Sequence, residues 1–308
     1  MIGRGTRASA CVLGACLAAT AALAADRSLI PLGQQSAPGP SEAFKKPKHD
    51  TPFRGSPVVR GSRNVSAVWF SEPVTRLKST PFEEEQHPDT LTVSTSELRV
   101  LRLTLPPDSV FEDRVPRLVD LDGDGKDEVV VVRSYLKKGS ALAVASAQST
   151  MLAIVAETPP TGQPFRWINP AGFGDFDGDG RLDVALVVSP HVLGELQIWS
   201  LTDRRFEMIA KIDDVSNHVR GSPHQGLAAV ADFNGDGRAD IAVPAQDRRS
   251  LRFLTLRRGE LVELGDATLP APAAEDFSVV EVDGRPAVRV GVAGGRSFVI
   301  APCRAVAG

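Results

Sequence analysis

Three stretches of this chain crowd oxygen-bearing side chains into short, glycine-punctuated loops. They read LVDLDGDGKDEVVVV from Leu118, FGDFDGDGRLDVALVV from Phe173 and AVADFNGDGRADIAVPA from Ala229. Side-chain oxygens fall at loop positions one, three, five and nine. In the first copy these are Asp120, Asp122, Asp124 and Glu128; in the second, Asp175, Asp177, Asp179 and Asp183; in the third, Asp232, Asn234, Asp236 and Asp240. Anions packed this closely repel one another unless a cation sits among them. A hard divalent ion that accepts roughly six to eight oxygens removes the repulsion, and Ca²⁺ suits a flexible, all-oxygen loop. Position seven (Lys126, Arg181, Arg238) is expected to offer its backbone carbonyl and leave its side chain in water. Glycine at position six (Gly125, Gly180, Gly237) permits a positive-φ turn over the ion. Glycine at position four (Gly123, Gly178, Gly235) lets the backbone pass close by. The expectation is about three Ca²⁺ sites, one per loop.

The loop opening is that of an EF-hand, but the rest is not. An EF-hand closes with a bidentate Glu at position twelve and has a helix on each side. Here position twelve is Val131, Leu186 and Val243, and the flanks are Val/Ile-rich runs such as 128–132 and 183–188. Such runs read as strands, so the ninth residue closes the site inside a β-hairpin. The pattern D-x-[DN]-G-D-G-x-x-[DE] followed by an apolar strand resembles the FG-GAP/VCBS repeat of integrin-α-type β-propellers. The resemblance is strong over 116–245 and weaker outside. The family's flanking elements are partly present, as Phe173-Gly174 and Asn169-Pro170-Ala171-Gly172. The resemblance implies that each repeat is one four-stranded blade, with calcium in the hairpin between its first two strands.

The spacing of the loops sets the scale of the architecture. Their first carboxylates are 175 − 120 = 55 and 232 − 175 = 57 residues apart. Short strands recur around each loop, and the four-Val run Val129 to Val132 suits a strand buried on both faces. The predicted fold is all-β: a β-propeller of about five four-stranded blades over 58–305, closed by N- and C-terminal strands. In the first blade, Val65 to Phe70 echoes Leu227 to Phe233, which places Phe70-Ser71-Glu72-Pro73 where an acidic loop has been lost. The last blade shows only three strands, and Pro57-Val58-Val59 is expected to supply the fourth and close the ring.

Residues 1–24 read as a signal peptide: basic Arg4 and Arg7, then an Ala-rich apolar run ending in Ala22-Leu23-Ala24. Secretion or export to a periplasm follows. Leu13-Gly14-Ala15-Cys16 resembles a bacterial lipobox and makes lipid anchoring at Cys16 the second reading. Residues 25–57, rich in Pro and Lys, form a flexible leader. No other stretch is long enough to cross a bilayer, so the mature chain has no integral membrane span. Only Cys303 remains after cleavage, so no internal disulfide forms. The formal charge of −3 becomes −3 − 2 = −5 without Arg4 and Arg7. That leaves no basic excess of the kind nucleic acid needs. A monomer is expected.

The functional expectation is a non-catalytic binding module for a protein or glycan. The resemblance puts the partner on the face opposite the metal turns, where Lys137-Lys138-Gly139, Pro190-His191 and Asp247-Arg248-Arg249 fall. Loops before first strands carry Trp167-Ile168-Asn169, His218, Arg220 and His224, with Trp167 either stacking on a sugar or lining the core. The runner-up is a glycan-active lyase or hydrolase using carboxylates in the channel. Glu83 to Glu85, Glu112-Asp113, Asp213-Asp214 and Glu275-Asp276 are the unassigned acids. No nucleophile or zinc-hydrolase motif accompanies them, so an enzyme is the weaker expectation.

Overall fold

Alternation along the second strand of each repeat explains how the chain packs. In the computed structural model, residues 51–78, 81–192 and 194–302 are described. All lie within one compact unit, 46–308. The expected signal peptide and Cys16, most of the expected leader, and Cys303 lie outside the described residues.

The Val run sits in β7 (Glu128–Tyr135). Val129 and Val131 enter one hydrophobic core, while Val130 and Val132 enter the next. Strand β11 (Asp183–Val188) does the same: Val184 and Leu186 share the core with Val130, whereas Ala185 and Val187 face a third core. In β15 (Asp240–Pro244), Ile241 and Val243 complete that third core and Ala242 joins a fourth. A strand has a two-residue side-chain period, so an unbroken apolar run feeds cores on both faces of its sheet.

The sheets are antiparallel and follow chain order, as up-and-down blades. The first blade is β1 (Val59–Arg60), β2 (Val65–Val74), β3 (His87–Thr95) and β4 (Val100–Thr104). The second has β5 (Ser109–Phe111) and β6 (Arg117–Val119), both paired with β7, followed by β8 (Gly139–Ala147) and β9 (Leu152–Glu157). The third runs β10 (Ile168–Gly174), β11, β12 (Glu195–Thr202) and β13 (Arg205–Ile212). The fourth runs β14 (Ala229–Ala231), β15, β16 (Ser250–Arg257) and β17 (Glu260–Thr268). The fifth has three strands, β18 (Ala273–Val282), β19 (Arg285–Val292) and β20 (Arg296–Ile300). No helix occurs among the described residues. The architecture is a five-bladed β-propeller in which four apolar cores join successive blades.

Two expectations about the ends need correction. Val59 pairs with Val68, so β1 belongs to the first blade and does not complete the last. A short turn to the adjacent β2 closes at little entropic cost, which favours this local pairing. The turn between the first two strands of the first blade is therefore 61–64. Phe70 to Pro73 lies inside β2, not at the site of a lost acidic loop. Among the described residues no apolar core joins the fifth blade to the first. The first blade buries a hydroxyl network, with Ser71 hydrogen-bonded to Thr92 and Thr90 to Thr104, whereas Ser278, Arg289 and Ser297 of the fifth blade are exposed.

Inner segments of the middle blades meet at a buried polar junction. Gln225 Nε2 donates to Asp113 at 3.1 Å and to Asn169 at 3.4 Å, while its Oε1 accepts from Arg114 N. Asn169 Nδ2 donates to the carbonyls of Asn217 and Gln225. Amides suit this place because each both donates and accepts, which lets three blades satisfy one another where water is excluded.

Candidate metal centres and the opposite face

Each acidic loop connects the first strand of a blade to the second, and its internal hydrogen bonds nearly repeat. The position-one carboxylate accepts from the amide of position six: Gly125 N to Asp120 at 3.1 Å, Gly180 N to Asp175 at 2.9 Å, Gly237 N to Asp232 at 2.8 Å. Position three accepts from the amide of position five, as Asp177 does from Asp179 N at 3.0 Å. Position nine reaches back to the amide of position two: Glu128 to Leu121 N, Asp183 to Phe176 N, Asp240 to Phe233 N. Both glycines of every loop have positive φ, from 75° at Gly123 to 87° at Gly180 and Gly237. A Cβ on Gly123, Gly125, Gly180, Gly235 or Gly237 would meet nothing within 4 Å. Backbone conformation, not space, is what requires glycine at these positions, including position four.

This folding gathers oxygens from positions one, three and nine. Ligand atoms of Asp120, Asp122 and Glu128 lie within 4.8 Å of one another, and so do those of Asp175, Asp177 and Asp183. Burial pushes Glu128 up to about 7, helped by the charges of Asp122, Asp124 and Asp120. Burial likewise pushes Asp183 up to about 6, helped by Asp177 and Asp179. Asp120 Oδ1 and Asp183 Oδ1 are buried with no hydrogen-bond partner. A buried, unpaired carboxylate oxygen is costly; Arg63 meets only the other oxygen of Asp120, at 2.8 Å, and Asp183 has no cation within ion-pair distance among the described residues. On that ground the first two loops fit a hard divalent cation.

Position five pairs with position seven. Asp179 Oδ2 accepts from Arg181 Nε at 3.0 Å and Nη2 at 2.5 Å, and these bonds hold its pKa down. Asp124 faces Lys126 at 3.4 Å, and Asp236 faces Arg238 at 3.0 Å. The position-seven side chains thus screen position five from outside the clusters. The third loop also departs. Asn234 turns its Nδ2 to Asp240 Oδ1 at 3.1 Å, so an amide donor stands against the closing carboxylate. Asn234 and Asp240 therefore satisfy each other in a way the first two loops do not.

Neighbouring blades brace these loops, and the sequence does not signal it. Arg63, in the first turn of blade one, lies 2.8 Å from Asp120 Oδ2 and 3.3 Å from Asp127. Asn64 exchanges hydrogen bonds with the Asp127 backbone. Ala239 N donates to the Asp175 carbonyl, tying the third loop to the second.

Away from the loops, the structure reassigns several candidates. Trp167 is 4% exposed and donates from Nε1 to the Glu112 carbonyl at 2.8 Å, so it is a core residue and not a sugar platform. Asp113 is buried and accepts from Arg117, Val132 N and Gln225. Glu112 accepts from Ser134 at 2.5 Å. These two acids hold blades together and do not face each other across open space. His224 lies 2.9 Å from Asp276, and His191 meets His218. Phe82 packs edge-on against Trp167 and His218.

Five antiparallel blades, with carboxylate loops between the first two strands of the second, third and fourth, define the class: a repeat-built β-propeller. The model of the FG-GAP-like repeat family matches residues 120–186 and 175–243, so this stretch consists of FG-GAP-like repeats. A comparison with curated proteins gives no match. Among solved structures, Saccharomyces cerevisiae Sqt1 is similar over 70% of this chain at 12% identity and a TM-score of 0.45. The chain covers 54% of that structure, about half its length, and a likeness so partial bears on nothing further. No helix among the described residues is long and apolar enough to cross a membrane.

Proposed function

We propose that this chain is an exported, calcium-stabilised propeller that binds a protein or glycan without transforming it. In this reading residues 1–24 are a signal peptide, 25–57 a leader and 58–305 the binding module, acting as a monomer. Calcium is held by Asp120, Asp122 and Glu128 in the first loop and by Asp175, Asp177 and Asp183 in the second. The third loop binds more weakly, because Asn234 must first turn its oxygen toward the ion. The observation that carries the proposal is the pair of buried, partnerless oxygens on Asp120 and Asp183. Six to eight oxygen ligands suit calcium, so backbone carbonyls at position seven and water complete each shell. The metal's work is structural: it neutralises a hairpin that otherwise stores repulsion. The partner surface is the opposite face, where loops from several blades converge. Isothermal titration of the chelator-stripped protein with CaCl₂ tests the metal reading. Saturable heat with a stoichiometry of at least two is expected, reduced by one in Asp183→Asn. No heat up to about 10 mM, ten times the weakest affinity usual for extracellular modules, refutes it.

A further inference from the structure

The face opposite the metal loops holds a cluster that the calcium sites leave unused. His191 lies in the β11–β12 connection and His218 follows β13. Their rings meet, with His191 Nε2 2.8 Å from His218 Nδ1. His218 Nε2 is 3.1 Å from the Ser222 carbonyl, which can only accept. The hydrogen on His218 therefore sits on Nε2, its Nδ1 accepts, and His191 Nε2 donates to it. This chain of tautomers leaves His191 Nδ1 as a bare acceptor. His191 is half-buried, and no described group donates to that atom. Trp167 stacks on His191 with ring centroids 5.9 Å apart and 10° between planes, which fixes the ring.

Two guanidinium groups lie near this ring. Arg220 and Arg248 lie close enough to His191 to add to the effect of its burial and keep it neutral. Neither has a carboxylate within ion-pair distance among the described residues. Arg248 donates from Nη1 to Ser216 Oγ at a long 3.4 Å, and its Nε is buried with no acceptor at all. Its backbone adopts φ 57°, a conformation that a non-glycine residue takes only where its surroundings hold it. Next to it Gln246 donates to the Pro190 carbonyl, while its Oε1 is buried and unpartnered. Cationic donors that lack an anion thus stand beside an imidazole that lacks a donor.

We propose that this cluster binds an acidic sugar, with Arg220 and Arg248 holding its carboxylate and His191 Nδ1 accepting a hydrogen from a neighbouring hydroxyl. A fully ionised inorganic oxyanion brings no hydrogen for His191, and a neutral sugar brings no anion for the arginines. A uronate carries both groups on adjacent carbons, and bidentate guanidinium contacts suit its planar carboxylate. The inference rests on the reading of this face as the partner surface, and it names the ligand class.

The test is calorimetric titration of the calcium-loaded protein with trigalacturonate and with glucuronate oligosaccharides. Controls are the same oligosaccharides with carboxylates reduced to alcohols, and an Asp-rich peptide. Saturable binding of an acidic sugar is expected. It should weaken at least tenfold on carboxylate reduction, in Arg248→Gln, and in His191→Phe, which keeps the stack on Trp167 but not the acceptor. Arg220→Gln, at an exposed position, is the variant least able to disturb folding and should weaken binding in the same direction. Absence of binding at millimolar sugar overturns the proposal. Equal binding of the reduced sugar, a preference for the peptide, or indifference to all three substitutions does so as well. Melting of the same samples with and without calcium reads the metal sites separately. A calcium-dependent melt with no sugar bound would remove this inference and leave the proposed function standing.

Discussion

Replacing Asp183 by Asn should change the sign of its effect on stability when calcium is added. Asp183 is fully buried, its Oδ1 has no partner, and its pKa is pushed up to about 6. Without metal at pH 7.5 the folded state must therefore hold a carboxylate that prefers to be neutral. A rise of about two units is worth about 3 kcal/mol, and water on the open side of the loop reduces this to roughly 1–2 kcal/mol. Asparagine keeps the shape and removes the charge, and its Oδ1 can still accept from Phe176 N. In excess chelator the variant should therefore melt above the parent by about 2–8 °C for a domain of this size. Calcium at about fifty times its dissociation constant adds about 2.3 kcal/mol per occupied site. The parent gains this at the second loop and the variant does not, which leaves the parent ahead by about 0.3–1.3 kcal/mol, so with calcium the variant should melt lower by about 1–5 °C. Differential scanning calorimetry in chelator and in calcium measures both differences. A variant less stable in both media, or a parent that melts alike in both, would refute the charge-relief argument.

Other perturbations follow from the same structure. Burial pushes Glu112 up to about 8 against the opposing Ser134 hydrogen bond, so the folded state holds a proton that the unfolded state has lost. Stability should fall as pH rises between the ordinary carboxylate range and 8, and Glu112→Gln should flatten that slope by up to about 1.4 kcal/mol per pH unit, read by urea unfolding at fixed calcium. His87 has the opposite sign: burial lowers it to about 4, so stability drops as pH falls from the ordinary histidine range toward 4. His87→Leu at this buried site, where Nε2 has no partner, should flatten the acid limb of the same unfolding series. Gly139→Ala would place a Cβ 2.1 Å from Thr161 Oγ1 at φ 77°, whereas Gly125→Ala at φ 85° meets nothing. The first should cost about 3 kcal/mol or more and the second about 1–2 kcal/mol, and equal losses in thermal melts would mean that crowding at Gly139 does not matter.

What could be read along the chain is what forms locally. All the oxygens of one acidic loop lie within nine residues, so residue types and spacing already imply a shared pocket, and the glycines report the backbone that makes it. The alternation of Val129 to Val132 between two cores was legible for the same reason, since a strand's period is a property of its backbone. The first blade was less legible, because Val58-Val59 is too short a run to state its partner. Only the pairing of Val59 with Val68 decided that β1 stays local and the last blade remains three-stranded.

The remaining features depend on which distant segments the stacking of blades brings together. Arg63 reaches Asp120, Gln225 reaches Asp113 across 112 positions, and His191 meets His218 from the next repeat. No local period or motif marks these residues, because their partners are set by how one sheet face packs on the next. The amino-acid order by itself determined the repeat, the strands and the carboxylate loops, all products of short-range backbone and charge effects. The tertiary structure alone decided which oxygens remain unpaired and which histidine nitrogen accepts no hydrogen bond, because burial and long-range contact exist only once the sheets are stacked.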